Sequence, residues 1–407
     1  MSPVWARLVQ APGRFCNQHI VVTGGTAIRS AAIGLAAGEQ YQSRMYGAGV
    51  HVEATLAGAR RRGLALLLRG EYKGAHGSDG VKPVLFYRDF QMFTGGHLKV
   101  WHYFNHVRRS GTHWPHIRFT AESVWDETNP WWPLRDEVLH SWRHIVPDVL
   151  FLEGLDWRRL GGAARERSPV PVLNLIQGVR HADPARERYS FLGYKAVRIC
   201  VSEEVKQAIL ATDRVNGPVF VIRNGLDLPA LPPPGEADCD VLIAGLKNRD
   251  FGVQLRERIL AAAGRDGEAL GSTRRRFGRT RLRIEVLTRE LPRETFLRDL
   301  QRARVGVFLP RVSEGFYLPA LEAMALGTLV VCPDVGGNRS FCLPAHNCFR
   351  PEYTLDAIAR ATAEALALSP QDRVAMLEKA RETARDHQIE RERAEFLAIL
   401  RNLGDIW

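Results

Sequence analysis

The sequence predicts an α/β fold of two successive parallel β/α arrays behind an N-terminal extension, and three observations carry that prediction. Short apolar runs, long enough for buried parallel strands and too short for helices, recur from 83 to 222 and again from 241 to 332. Between the two sets, residues 229–235 read PALPPPG, a stiff linker. The second set also holds one complete strand–loop–helix–strand–loop unit, residues 305–338, VGVFLPRVSEGFYLPALEAMALGTLVVCPDVGGN. At 407 residues, and with about 150 residues per domain, two domains plus extras are expected.

Residues 1–82 carry the weakest pattern. They are rich in Gly, Ala and Arg, and a poorly defined extension is expected there. Within it, 19–37 reads as strand, tight turn and helix, and 52–68 as a basic amphipathic helix bearing Arg60, Arg61 and Arg62. The TGGT turn at 23–26 lacks the G-x-G-x-x-G frame of a nucleotide-binding turn, and no second β/α unit follows it.

From 83 onward the pattern sharpens. Residues 84–87 form a strand, 93–96 a turn, and 97–109 a helix with Leu98, Val100, Trp101, Phe104 and Val107 on its apolar side. The amides of Gly95 and Gly96, unshielded by a Cβ at a helix start, make a candidate phosphate cradle. A strand at 117–120 precedes the Pro-bounded loop 125–133, WDETNPWWP. Its Trp pair can stack on sugar rings or dip into headgroups, and burial as an anchor under the loop is an equal reading. Strands follow at 148–152, 170–176, 196–201 and 219–222, with a helix opening at Ser202 whose Glu203 and Glu204 suit the helix dipole.

In the second array, strands are expected at 241–244, 282–287, 305–309 and 328–332. Pro319 suits the first turn of the intervening helix, and Gly327 suits its close. From Thr354 the chain reads as helical, ending in a helix near 388–403 that is charged on one face. Glu314 falls in the loop beyond a strand's carboxyl end and Glu322 early in the next helix, where ligands of open α/β sheets bind. Beside a phosphate a carboxylate repels, so the pair makes sense as acceptors of hydrogen bonds from hydroxyls around one. A solvated Glu plus a helix-dipole Glu is the plainer alternative.

Composition narrows the class. The net charge of +11 suits nucleic acid, anionic headgroups or anionic substrates, or simply a solvated Arg-rich surface. No zinc-finger spacing, helix-turn-helix cue or RNP-like motif supports nucleic acid. The six cysteines, Cys16, Cys200, Cys239, Cys332, Cys342 and Cys348, include no C-x2-C pair, the usage of a reducing compartment. No apolar run approaches about 18 residues, and the first 15 residues lack a secretory core. A cytoplasmic protein is expected, with contact to the inner face of a membrane left open. Asp238–Cys239–Asp240 has a D-x-D form but lies at a strand entry, away from the carboxyl-end crevice, and no metal is expected.

The stretch SEGFYLPALEAMALGTLVV resembles the E-x7-E segment of retaining GT-B-fold glycosyltransferases of the family-4 type, the glycosyltransferases group 1. Glu314 and Glu322 stand at its acidic positions, with Gly315, Phe316, Pro319, Ala323, Met324 and Gly327 in place. RNGLD at 223–227 resembles that family's turn between domains. The resemblance implies a GT-B architecture of two Rossmann-like domains facing across a cleft. The acceptor domain would run over 83–227, the donor domain over 236–385, and a C-terminal helix, 386–407, would cross back to the first.

It further implies transfer of a sugar from a nucleotide diphosphate-sugar co-substrate to a glycan, lipid-linked or other glycoconjugate acceptor. Glu314, Lys247 and Arg249 are the implied catalytic residues, the two cations answering the leaving diphosphate, although Leu246 stands where the family often has Arg. Donor contacts are implied for Gly95, Gly96, Gly245, Thr288, Ser313, Gly315, Phe316, Glu322, Gly336 and Gly337. Gln177 takes the place of a His that often meets the donor sugar, with His181 nearby as a second candidate sugar contact. A GT-B nucleotide-sugar epimerase and a catalytically silent partner in a polysaccharide-assembly complex are the rival readings.

Overall fold

A computed structural model describes residues 80–265 and 282–407, apart from His144 and Pro234, together with the backbone of six strands within residues 1–79. Those six are β1 (Val4–Val9), β2 (Asn17–Val21), β3 (Ala32–Gly34), β4 (Gln42–Gly47), β5 (Val50–Thr55) and β6 (Leu66–Glu71). They pair antiparallel in the order β3-β2-β1-β6-β5-β4. This corrects the basic helix expected over 52–68, whose two ends lie in β5 and β6 while 56–65 lies outside the described residues. The run VHVEAT alternates apolar and polar residues with period two, the strand pattern. The helix expected late in 19–37 is likewise replaced by the short strand β3, and 22–31 lies outside the described residues.

The first α/β array has six parallel strands: β7 (Lys82–Arg88), β8 (His113–Phe119), β9 (Val149–Glu153), β10 (Val172–Ile176), β11 (Val197–Cys200) and β12 (Val219–Val221). Their order is β12-β11-β10-β9-β7-β8. β9, β10 and β11 are buried end to end between helical layers although each carries one polar residue, Glu153, Asn174 and Arg198. The chain leaves β7 toward β8 on one side and returns to β9 on the other. The direction of winding therefore reverses at β7, and a crevice opens at the carboxyl ends beside it. Helix Gly95–Arg108 makes the first crossover, and its start is capped by Thr94, whose hydroxyl accepts from the His97 amide.

In the second array, β13 (Cys239–Ala244), β14 (Ile284–Leu287), β15 (Ala303–Phe308) and β16 (Leu329–Val331) run parallel in the order β14-β13-β15-β16. Winding reverses here at β13, between β14 and β15. Helix Leu318–Leu326 has Pro319 in its first turn and ends at Gly327, whose φ of 82° is the left-handed conformation that glycine adopts without strain. Among the described residues no helix is long and apolar enough to cross a membrane.

The chain's last long helix, Ile389–Arg401, lies on the first array. Phe396 meets Tyr103 edge-on at 4.8 Å, and buried Glu392 accepts from Lys99 Nζ and the Gly225 amide and pairs with His106 Nε2. Leu226 N–H donates to the His387 carbonyl at 2.7 Å, so the crossover between arrays is tied to the return helix. In the aromatic loop, Trp131 is fully buried edge-on against Trp101 and Phe119. It is the anchor, and the sugar-stacking reading does not hold for it.

Candidate functional site

The two arrays meet where loops from their carboxyl ends touch. After β10 the backbone runs through Gln177 and Gly178, and after β15 through Ser313, Glu314 and Gly315. Gly178 and Glu314 form an antiparallel bridge. A Cβ on Gly315 would stand 2.6 Å from the Gln177 carbonyl oxygen and 2.5 Å from Val205 Cγ2, so only glycine permits this approach. Alongside, the start of helix Gly95–Arg108 lies against the start of helix Leu318–Leu326, with a Gly95 Cβ position 3.7 Å from Leu318 Cδ1. The Gln177 amide donates to the Gly96 carbonyl at 3.1 Å. At that helix start the His97 and Leu98 amides are taken by the Thr94 hydroxyl and carbonyl, and Gly95 and Gly96 precede them as the first two helical positions, whose amides have no partner within a helix.

On the second array, Lys247 Nζ donates to Glu314 Oε1 and stands 5.2 Å from the centre of the Tyr317 ring. Arg249 is exposed at the first position of helix Arg249–Arg265. Glu322 is buried and ion-paired to Arg293 Nη1, while Arg293 Nη2 donates to the Asp227 carbonyl at 3.0 Å. Thr288 is half-buried just past β14, and Gly245 packs beside the Leu287 carbonyl. The Gly337 carbonyl accepts from the Tyr317 amide at 2.9 Å, and Gly336 borders open space. Phe316 is buried, its ring 4.9 Å from Phe341 and 5.5 Å from His387.

Glu314, Lys247, Ser313, Gly315, Gly95, Gly96 and Gln177 are thus neighbours, while Glu322 sits one helical turn deeper under Arg293. Arg293 went unread in the sequence because nothing around RETFLRDLQ marks it. Only the fold brings it to a Glu 29 residues on.

A second group of polar side chains lies on the first array around the reversal at β7, and of these the sequence reading singled out His181 but not Arg88, Glu153 or Asp156. Arg88 Nη2 donates to Glu153 Oε2 at 2.9 Å and to Asp156 Oδ1 at 3.1 Å, and Asp156 Oδ2 accepts from the Glu153 amide. Burial, with the Glu153 charge adding and Arg88 opposing, pushes the Asp156 carboxyl up to about 7. Against burial, the Arg88 guanidinium holds Glu153 below the usual range. His181 is 2% exposed, and burial pushes it down to about 3, so it is neutral near pH 7. His97 is likewise lowered by burial, to about 4. The one signal available in sequence was position: Arg88 and Glu153 both close strands at the carboxyl edge.

Comparison with known proteins bears on this geometry. Residues 287–383 match the family described as glycosyl transferases group 1. A D-inositol 3-phosphate glycosyltransferase from Saccharomonospora viridis is 34% identical over 280 residues, covering 56% of this chain and 63% of that protein. A protein of the same name from Actinosynnema mirum is 26% identical over 252 residues, 50% of this chain and 60% of its own. The chain therefore spans about three fifths of the length of these curated relatives. Among solved structures, a sucrose-phosphate synthase from Thermosynechococcus elongatus superposes with a TM-score of 0.56 at 16% identity, covering 80% of this chain and 99% of that one. Anabaena HepE in complex with UDP-glucose gives 0.57 at 12% identity, covering 79% and 100%. The fold is GT-B, two Rossmann-like arrays, with the group 1 segment in the second.

Proposed function

We propose that this chain, which carries a group 1 glycosyltransferase segment on a GT-B fold, is a glycosyltransferase that moves a sugar from a nucleotide diphosphate donor to an acceptor held on the first array. The observation that carries the reading is the meeting of Lys247–Glu314 with the Gly95–Gly96 helix start across the contact between arrays. A diphosphate there has a cation on one side and helix-start amides on the other, which is what a leaving group developing negative charge requires.

Lys247 is ion-paired to Glu314. On binding, the diphosphate takes over Lys247, with Arg249 as the second cation, and Glu314 is released to accept from the sugar's hydroxyls. Glu322 reads the ribose after exchanging part of its Arg293 contact. Gln177, Ser313, Thr288, Gly245 and the Gly336–Gly337 turn line the donor around these groups. We further propose retention by front-face attack, in which a donor phosphate oxygen takes the acceptor's proton and no protein carboxylate acts as nucleophile. The contact between the arrays excludes water that would hydrolyse the donor.

The names of the curated relatives support transferase chemistry, and the UDP-glucose complex of HepE makes UDP-sugars the first donors to try. Thermal shift against UDP-, GDP-, ADP- and dTDP-sugars tests the donor, with a rise of several degrees expected for one base. Sugar transfer to added acceptor confirms the reaction class. Turnover of the donor sugar without any acceptor would make the chain an epimerase. The absence of a shift with every nucleotide would remove the catalytic reading.

A further inference from the structure

We infer that His102 and Asp227 form a latch at the crossover between the arrays, whose contact shortens into a hydrogen bond when a donor draws the arrays together. The inference rests on the glycosyltransferase reading for the donor, and it makes both residues positioning residues. Its substance is one unmet N–H in a network that is otherwise complete. Lys99, His102 and His106 share a face of helix Gly95–Arg108, three and four residues apart. Lys99 Nζ donates to Glu392 Oε2 on the return helix, contacts His102 Nδ1 at 3.0 Å and reaches the Gly225 carbonyl at 3.4 Å. Glu392 also accepts from the Gly225 amide, and its other oxygen meets His106 Nε2 at 2.9 Å.

The partners assign the protons. Beside the buried Glu392 carboxylate Lys99 is an ammonium, which has three N–H groups and no lone pair. Its three contacts use all three, so His102 Nδ1 can only accept. Burial, with Lys99, His106 and Arg293 beside it, holds His102 well below its ordinary value. The ring is therefore neutral near pH 7, and its one proton sits on Nε2. That nitrogen is buried, on a side chain 3% exposed, and has no hydrogen-bond partner among the described residues. It faces Asp227 Oδ2 at 3.9 Å, about 1 Å beyond hydrogen-bonding distance. A buried N–H left open is unfavourable, so closing this gap is worth more than an exposed pair would be.

Asp227 stands where the gap can close. Gly225 is held by Glu392, and Leu226 N–H by the His387 carbonyl, so both stay with the return helix. Asp227 is the first residue past that fixed point. Its carbonyl accepts from Arg293 on the second array, while its carboxylate, 60% exposed, makes no hydrogen bond among the described residues. A small change in the angle between the arrays alters the His102–Asp227 distance and leaves the saturated network intact. The helix that carries His102 also begins at Gly95–Gly96, so a diphosphate bound there and at Lys247 pulls on both sides of the gap. By linkage, a contact that forms on donor binding strengthens that binding in return.

Isothermal titration of the full chain with UDP, GDP, ADP and dTDP tests the latch. Asp227→Ala should weaken the nucleotide that binds by about tenfold, the scale of a hydrogen bond to a charged group. Its melting without nucleotide should stay within about 1 °C of native, because an exposed, unbonded carboxylate adds little to the fold. Asp227→Asn keeps an acceptor oxygen and should bind within about threefold of native. His102→Asn places an oxygen where Nδ1 was, so Lys99 keeps its third acceptor while the Nε2 proton is gone. It should lose the same factor, and His102→Asn/Asp227→Ala should bind no more weakly than either single variant. Losses that multiply would put Asp227 on the nucleotide itself and overturn the latch. So would a fall of several degrees in Asp227→Ala without nucleotide. Should His102→Asn fail to fold, the two Asp227 variants decide: loss with Ala and recovery with Asn are both required. Equal nucleotide binding by the native chain and Asp227→Ala sinks the latch alone, whereas no nucleotide binding by the native chain sinks the transferase reading with it.

Discussion

The two crevices at the winding reversals are built from the same residue types and handle charge in opposite ways. On the second array every carboxylate singled out has its own cation: Lys247 holds Glu314, and Arg293 holds Glu322. On the first, one Arg serves two carboxylates while two further guanidiniums and His181 hold buried nitrogens without a partner among the described residues. The first arrangement suits a site that must stay soluble and folded while empty and then exchange internal partners for a ligand's. The difference is one of pairing: the second crevice matches its charges within the chain, and the first leaves buried donors without a partner among the described residues.

The strongest way to break that comparison is Glu314→Ala. If Glu314 works on the sugar and merely parks Lys247, transfer should fall by about 10²–10³-fold, the usual loss when one preorganised polar group at a reacting centre is removed. Melting should stay within about 2 °C, because Glu314 is only partly buried and its pair with Lys247 is half-exposed. Binding of nucleotide diphosphate should hold or tighten, because Lys247 no longer has an internal partner. Weaker nucleotide binding in this variant would show that Glu314 organises the phosphate site instead.

Next in size is Gly315→Ala, which probes the seam between the arrays. Its Cβ would lie 2.6 Å from the Gln177 carbonyl, and backbone on both sides must move. Overpacking of this kind costs about 1–3 kcal/mol. If the seam positions donor against acceptor, kcat should fall at least tenfold, with nucleotide affinity within twofold of native. A variant with native kcat would detach the contact from the chemistry.

Much of this architecture was legible in the chain, and particular residues explain where it was not. Short, mostly apolar runs such as VLFLE and VLNLI read as buried strands by their length, and Pro319 with Gly327 bracketed the helix after β15 because Pro fixes φ at a helix start and Gly tolerates the left-handed φ at its close. The helix expected over 52–68 fails at its two described ends, where VHVEAT alternates with period two, and Arg60–Arg62 lie outside the described residues. In the site, Glu314 and Lys247 were singled out separately, but 67 residues part them and no spacing rule reaches that far. Arg293 and the Arg88–Glu153–Asp156 group were missed for the same reason. Ion pairs across crossovers depend on strand order, and local pattern does not encode strand order.

The smallest effect sharpens the comparison at the second carboxylate. Glu322→Gln keeps the shape of the side chain, removes its charge, and leaves Arg293 with a neutral partner and the Asp227 carbonyl. Arg293 is partly exposed, so water can repay some of the loss, and about 1–2 kcal/mol of stability should go, well short of the loss for a fully buried pair. An amide can still bond a ribose hydroxyl, so nucleotide affinity should drop only about three- to tenfold, with kcat nearly native. Because Arg293 also grips Asp227 at the crossover between arrays, Arg293→Lys should reproduce the stability loss without the affinity loss. A Lys keeps charge for Glu322 but cannot reach both partners at once. If both variants lose nucleotide equally, Arg293 itself touches the donor.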